Sequence, residues 1–325
     1  MIFMKEYIFV KQNKEKWNKY EEKISHLSTL STQQISDIYQ DITADCAYAQ
    51  GHYPNARVTA YLNNMALMLH EYVCRPKKHD IIHSVIKFFT EYVPSMVAEA
   101  HVEMKLSFAL FTAFTIAGVI LAVQDIQNVI DTLGPGYVEM TLENIKNGVP
   151  TNVYGQSSPK HMFFYIVLNN LRVDLITYMY GIIPILGPGY ILKVNGVMLG
   201  EFQTLFFLKD VGLESMSAIW IHGALEIPSI IIGGAASLAL GMGWVFPGNM
   251  SRKEALKRSG LRSVKIILSI LPITIIAAFL ESFATRHTEW PLFVKLFIIG
   301  GSFAFVIFYY IYLPHQIRKR KEFES

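Results

Sequence analysis

Ile219-Trp220-Ile221-His222-Gly223-Ala224-Leu225-Glu226-Ile227-Pro228-Ser229-Ile230-Ile231-Ile232-Gly233-Gly234-Ala235-Ala236 is an apolar run long enough to enter a bilayer, and it carries a histidine and a glutamate four residues apart. On a helix that spacing stacks the two side chains on one face, one turn apart. An ionisable group at bilayer depth costs about 2.5–3.5 kcal/mol on insertion scales, so it needs a partner or a wet cavity. Two such groups, followed by a glycine-rich run suited to close helix approach, mark the centre of the molecule.

Composition agrees. The 325 residues are 52% hydrophobic and only 17% charged, against about 25% charged in soluble domains. Leu106 to Val123 holds no charge at all. Six spans are predicted: Leu106 to Val123, Met162 to Ile185, Leu186 to Leu208, Ser217 to Leu240, Val264 to Phe283 and Pro291 to Leu313. Pro184, Gly187, Pro188 and Gly189 break the chain between the second and third as a tight turn or a broken buried helix. Arg252, Lys253, Lys257, Arg258, Arg262 and Lys265 link spans four and five, and Arg318 to Lys321 follow span six. The first loop instead carries Asp125, Asp131, Glu139 and Glu143. By the positive-inside rule, six spans put every basic segment in the cytoplasm and the acidic loop outside. The fold class expected is therefore all-α: a polytopic helical membrane protein of about six transmembrane helices preceded by a cytosolic helical region. Its parts are a cytosolic helical region over 1–104, a six-span domain over 105–314 and a basic cytosolic tail over 315–325.

Ahead of the spans, Tyr7 to Ile24 has amphipathic periodicity. Ser31 or Thr32 is placed to cap a helix through Ile35, Ile38, Tyr39 and Ile42, and Val58 to Val73 resumes the pattern. Ile81 to Glu103 reads either as an interfacial helix or as the last helix of a cytosolic bundle. Cys46 and Cys74 are expected reduced and structural, since a zinc or redox pair needs more ligands or closer spacing. The amino terminus has no secretory signal pattern. The net charge of +3 gives no reason to propose nucleic acid.

The polar residues inside the spans are the candidate site. As metal ligands, His222 and Glu226 need a third, for which Glu281 is the candidate. The favoured reading has them bonding each other and neighbouring spans, with no metal or cofactor. Asn169, Asn170, Arg172 and Asp174 lie in span two. Arg172 and Asp174 point in different directions, and Arg172 is expected to pair with Glu226 or Glu281. Asn195 in span three completes the polar set. Gly196, Gly200, Gly223, Gly233, Gly234 and Gly241, with Ser237, are read as helix-packing positions. No phosphate-binding loop, nucleophile elbow or H-E-x-x-H helix is present, so no catalytic residue is assigned.

Three stretches carry a family resemblance: YPNARVTAYLN (Tyr53 to Asn63), LNNLRVDLITYMYGIIPILGPGYILKVNGVMLGEF (Leu168 to Phe202) and WIHGALEIPSIIIGGAASLALG (Trp220 to Gly241), the last followed by FPG at Phe246 to Gly248. The chain resembles the stage II sporulation protein M family. In endospore formers the namesake is a membrane partner that holds peptidoglycan-degrading proteins at the engulfing septum. The resemblance implies a non-enzymatic scaffold or assembly partner of cell-envelope machinery in the bacterial cytoplasmic membrane, with both termini cytoplasmic. Its expected partners are the lipid bilayer and membrane or envelope proteins, and an oligomer is left open. The alternative is a permease-like subunit for a small or lipidic substrate, powered by a separate ATPase. An intramembrane metal-dependent hydrolase is a third reading.

Overall fold

The computed structural model describes residues 6–74, 81–150, 158–287 and 289–324, with the Cys74 side chain outside the described residues. Among the described residues the regular structure is all helix, with no strand. The chain divides into two compact units, 1–81 and 82–325.

The first unit contains α1 (Glu6–Ile24), α2 (Thr32–His52) and α3 (Arg57–Cys74). Ser31 starts α2 with a capping box: its hydroxyl accepts from the Gln34 backbone N–H at 3.3 Å, and the Gln34 side chain accepts from the Ser31 N–H at 2.9 Å. Ile35, Ile38, Ile42, Cys46 and Ala49 fall on one helical face and are buried against Phe9, Trp17, Leu62 and Leu69. The Trp17 indole N–H donates to Asp45 at 2.7 Å, so the ring is buried without orphaning its donor. Cys46 is free and buried, and burial pushes its thiol pKa up, which suits a structural rather than a reactive sulfur.

The second unit opens, one residue into α4 (Ile81–Lys87), with the rest of that helix, a π-helical turn (Phe88–Tyr92) and α5 (Val93–Glu99). Val93, Val97 and Ala100 are buried with Ile266, Ile270, Val306 and Tyr310, whereas Ile81, Ile82, Val85 and Ile86 are exposed. Ala100 breaks the helix, and α6 (His101–Gln124) follows. Then come α7 (Ile126–Leu133), α8 (Pro135–Lys146), α9 (Pro159–Met179), α10 (Leu186–Phe207), α11 (Gly212–Val245), α12 (Arg252–Phe279), α13 (Leu292–Ile307) and α14 (Leu313–Glu324). Among the described residues, four helical segments are long and apolar enough to cross a membrane: His101–Gln124, Gly212–Val245, Arg252–Ala284 and Leu292–Phe323. They coincide with the first, fourth, fifth and sixth expected spans. α9 and α10 occupy the positions of the second and third, but are less apolar because each carries charged residues in its middle.

The Pro-Gly cluster does turn the chain. A 3₁₀ turn (Tyr180–Ile182) leads to Ile185 at φ 66°, a left-handed conformation that costs a β-branched residue on the order of 1–3 kcal/mol. A side chain at Gly187 would run into the Tyr180 carbonyl, so glycine is required to start α10 this close to the end of α9.

Beyond the turn, helices approach at backbone distance. Gly196 and Gly200 of α10 lie on the α6 backbone around Phe111 and Thr115, and Gly118 of α6 lies on the Val197 carbonyl, so the two helices run parallel. α11 and α12 run antiparallel, from the His222–Thr285 contact to the Ser259 hydroxyl, which donates to the Leu240 carbonyl at 3.4 Å. α9 follows α11 in the same direction, with Gly181 against Ser237 and Gly241. Arg262 of α12 closes one end of the bundle by donating to Glu103 at 2.8 Å and to the Glu99 carbonyl at 3.3 Å.

Candidate functional site

His222 and Glu226 sit one turn apart on α11, facing the end of α12. There the helix widens into a π-helical turn (Leu280–Ala284), closed by the Thr285 N–H donating to the Leu280 carbonyl at 2.9 Å. Glu281 and Thr285, four residues apart, both face α11 there. His222 Nδ1 lies 3.1 Å from Thr285 Oγ1, and that hydroxyl also reaches the Leu280 carbonyl at 3.3 Å. His222 Nε2 is 4.0 Å from Glu226 Oε2. One ligand atom from each of His222, Glu226 and Glu281 falls within 4.8 Å of the other two. From α9, the Asn170 amide donates to Glu226 Oε1 at 3.3 Å, and Asn169 in turn donates to Asn170 Oδ1 at 3.2 Å. Three helices therefore bring two carboxylates, an imidazole and an amide together.

The remaining polar residues do not join this group. Asp174 is 4% exposed and accepts from the Thr274 hydroxyl at 2.7 Å, a bond between α9 and α12. Arg172 does not pair with Glu226 or Glu281: it is exposed and makes no ion pair among the described residues. Two residues along a helix is about 200° of rotation, so burying Asp174 turns Arg172 outward. Asn195 bonds within its own helix, donating to the Ile191 carbonyl at 2.9 Å.

The glycines also divide. A side chain at Gly196, Gly200, Gly234 or Gly241 would meet a neighbour within 3 Å. At Gly223 a Cβ meets nothing within 4 Å, and at Gly233 it makes ordinary contact with Ile270 at 3.5 Å, so packing does not demand glycine at either. Gly118 and Gly181, which the sequence reading passed over, are among the tightest contacts.

One further residue borders the site, and one more buried acid lies outside it, unannounced by any motif. Tyr137 of α8 lies near enough to Glu281 to feel its charge: burial first, then the Glu281 carboxylate, push the phenol up to about 12. Glu201 of α10 is 1% exposed, and its Oε2 has no hydrogen-bond partner. Its neighbour Gly200 was readable from spacing; a buried glutamate beside it was not.

The family model described as Stage II sporulation protein M matches residues 107–286, more than half of the chain. The chain belongs to this family. The stage II sporulation protein M stretch takes in α6 to α12 and ends just beyond Glu281 and Thr285, so the whole His222–Glu226–Glu281 group lies inside it. Residues 8–75, nearly all of the first unit, match a second model, described only as a domain of unknown function (DUF8413). No curated protein and no solved structure matches the chain.

Proposed function

We propose that this stage II sporulation protein M family member is a six-span, non-enzymatic scaffold that assembles cell-envelope machinery at the bacterial cytoplasmic membrane, both termini on the cytoplasmic side. Six crossings are supported by how α9 and α10 lie. α9 follows α12 from the Met162–Arg286 contact to the Tyr178–Ser263 contact, over the apolar length of α12, and α10 follows α6 over the same range of depth.

The observation that carries the scaffold reading is the outward placement of Arg172 and Lys193. Both are exposed, and neither makes an ion pair among the described residues. Each lies about two helical turns from the Tyr180–Leu186 connection, on α9 and α10, both of which carry charged residues in their middle. A cation at that depth costs about 2.5–3.5 kcal/mol unless it reaches the interface or meets a counter-charge. A partner helix carrying a carboxylate supplies that counter-charge. The interior supports the same reading, since glycine contacts close the α6–α10 and α9–α11 seams.

The test is affinity capture of the tagged full chain from solubilised membranes, followed by mass spectrometry, for wild type and an Arg172→Gln/Lys193→Gln variant. Envelope proteins captured by wild type and lost from the variant, with the variant still in the membrane, is the expected result. An unchanged set would mean that both side chains only reach for the interface. Capture of a nucleotide-hydrolysing subunit would replace the scaffold with a transporter.

A further inference from the structure

We infer that His222, Glu226 and Glu281 bind a first-row divalent cation of the zinc class. Three atoms within 4.8 Å of one another place an ion at their centre about 2.8 Å or less from each. Side-chain rotation of under about 1 Å closes that to the roughly 2.0–2.2 Å of zinc–nitrogen and zinc–carboxylate bonds. The 4.0 Å between His222 Nε2 and Glu226 Oε2 is too long for a hydrogen bond, and it is within about 0.6 Å of the roughly 3.4 Å that separates two ligands of a tetrahedral zinc ion.

The surroundings of the three residues are those of ligands. Thr285 has one hydroxyl proton. When it is given to the Leu280 carbonyl, the oxygen is left to accept from His222 Nδ1–H. That tautomer leaves Nε2 a bare lone pair facing the carboxylates, the arrangement in which a metal-binding histidine is held. On the other side, Asn170 occupies Glu226 Oε1 and leaves Oε2 as the oxygen nearest the imidazole. A glutamate from each of two helices and one imidazole supply the oxygen and nitrogen donors that a divalent cation takes. A donor set of one nitrogen and two carboxylates, with no thiolate, suits zinc, cobalt, iron or manganese, and it leaves a position for water.

The inference does not rest on the scaffold role: a variant that loses partners but keeps the ion separates the two. The experiment uses the full chain in detergent, stripped with a chelator and titrated with zinc chloride. Bound zinc is counted by elemental analysis, and the visible absorption of cobalt(II) reports the ligand field. Saturable binding of one zinc per chain is expected, lost with the cobalt bands in His222→Gln and in Glu281→Gln. Thr285→Val keeps all three ligands and is expected to weaken binding about 10–100-fold, which covers the case where a ligand variant fails to fold. No saturable site, binding unchanged in Glu281→Gln, or wild-type affinity in Thr285→Val would each overturn the assignment.

Discussion

Gly200→Ala adds one methyl group at the α6–α10 seam. The new Cβ would lie 2.8 Å from the Val119 backbone nitrogen and closer still to the Thr115 carbonyl oxygen, where ordinary contact begins near 3.4 Å. The clash is with backbone, which no rotamer change relieves, so the two helices must part by roughly 1 Å along a shared seam. Overpacking of this kind costs about 1–3 kcal/mol, and replacing a helical glycine by alanine returns about 0.5–1 kcal/mol. The net is a loss of up to about 2.5 kcal/mol, or a fall of up to roughly 5 °C in Tm at about 2 °C per kcal/mol. Gly223→Ala is the matched control: its Cβ meets nothing within 4 Å, so only the helix-propensity gain remains and Tm should hold or rise by a degree or two. Thermal unfolding of the detergent-solubilised full chain, followed by loss of the monodisperse gel-filtration peak, reads both. Equal Tm values for the two variants, or a Gly200→Ala chain more stable than wild type, would refute the assignment of Gly200 to backbone contact.

Two further outcomes are expected. Thr274→Val strands the Asp174 carboxyl without its 2.7 Å hydrogen bond and should destabilise by about 1–3 kcal/mol, whereas an unchanged Tm would mean that Asp174 finds another donor. At the start of α12, hydrogen bonds from the Ser251 hydroxyl and backbone N–H hold the Glu254 carboxyl below the usual glutamate range. A pKa depressed by folding contributes stability above the unfolded value and loses it as pH falls through the folded one. Wild type should therefore be more stable than Glu254→Gln at pH 7, and the two should converge on acidification below the glutamate range; a constant gap would refute the cap.

The parts of this fold that were legible in the sequence are those where local rules act alone. The Ser31 cap needs only Gln34 three residues on, and the buried face of α2 follows from the spacing of Ile35, Ile38, Ile42 and Cys46. Leu106 to Val123 and the Pro184–Gly189 turn needed no tertiary knowledge either. The approach of Glu281 to His222 and Glu226 was expected from scarcity, since few strong ligands lie in the spans. What stayed hidden depends on rotation. That Arg172 and Asp174 diverge follows from their spacing, but which of them faces inward is decided by Thr274 on another helix. Gly118 and Gly223 look alike in sequence, and only the neighbour opposite makes one obligatory. Thr285 reaches His222 across a π-helical turn that no residue in LESFA announces.

That turn bears on how such a site comes and goes in evolution. A π-helical turn is an α-helix with one residue inserted, so deleting a single residue within 280–284 would restore regular pitch while leaving composition and apolar length almost untouched. A deletion between Glu281 and Thr285 would change their spacing from four residues to three and shift the Thr285 hydroxyl away from its present place beside His222. A one-codon gap thus joins ligand substitution as a single-step path between a chain that has this constellation and one that lacks it.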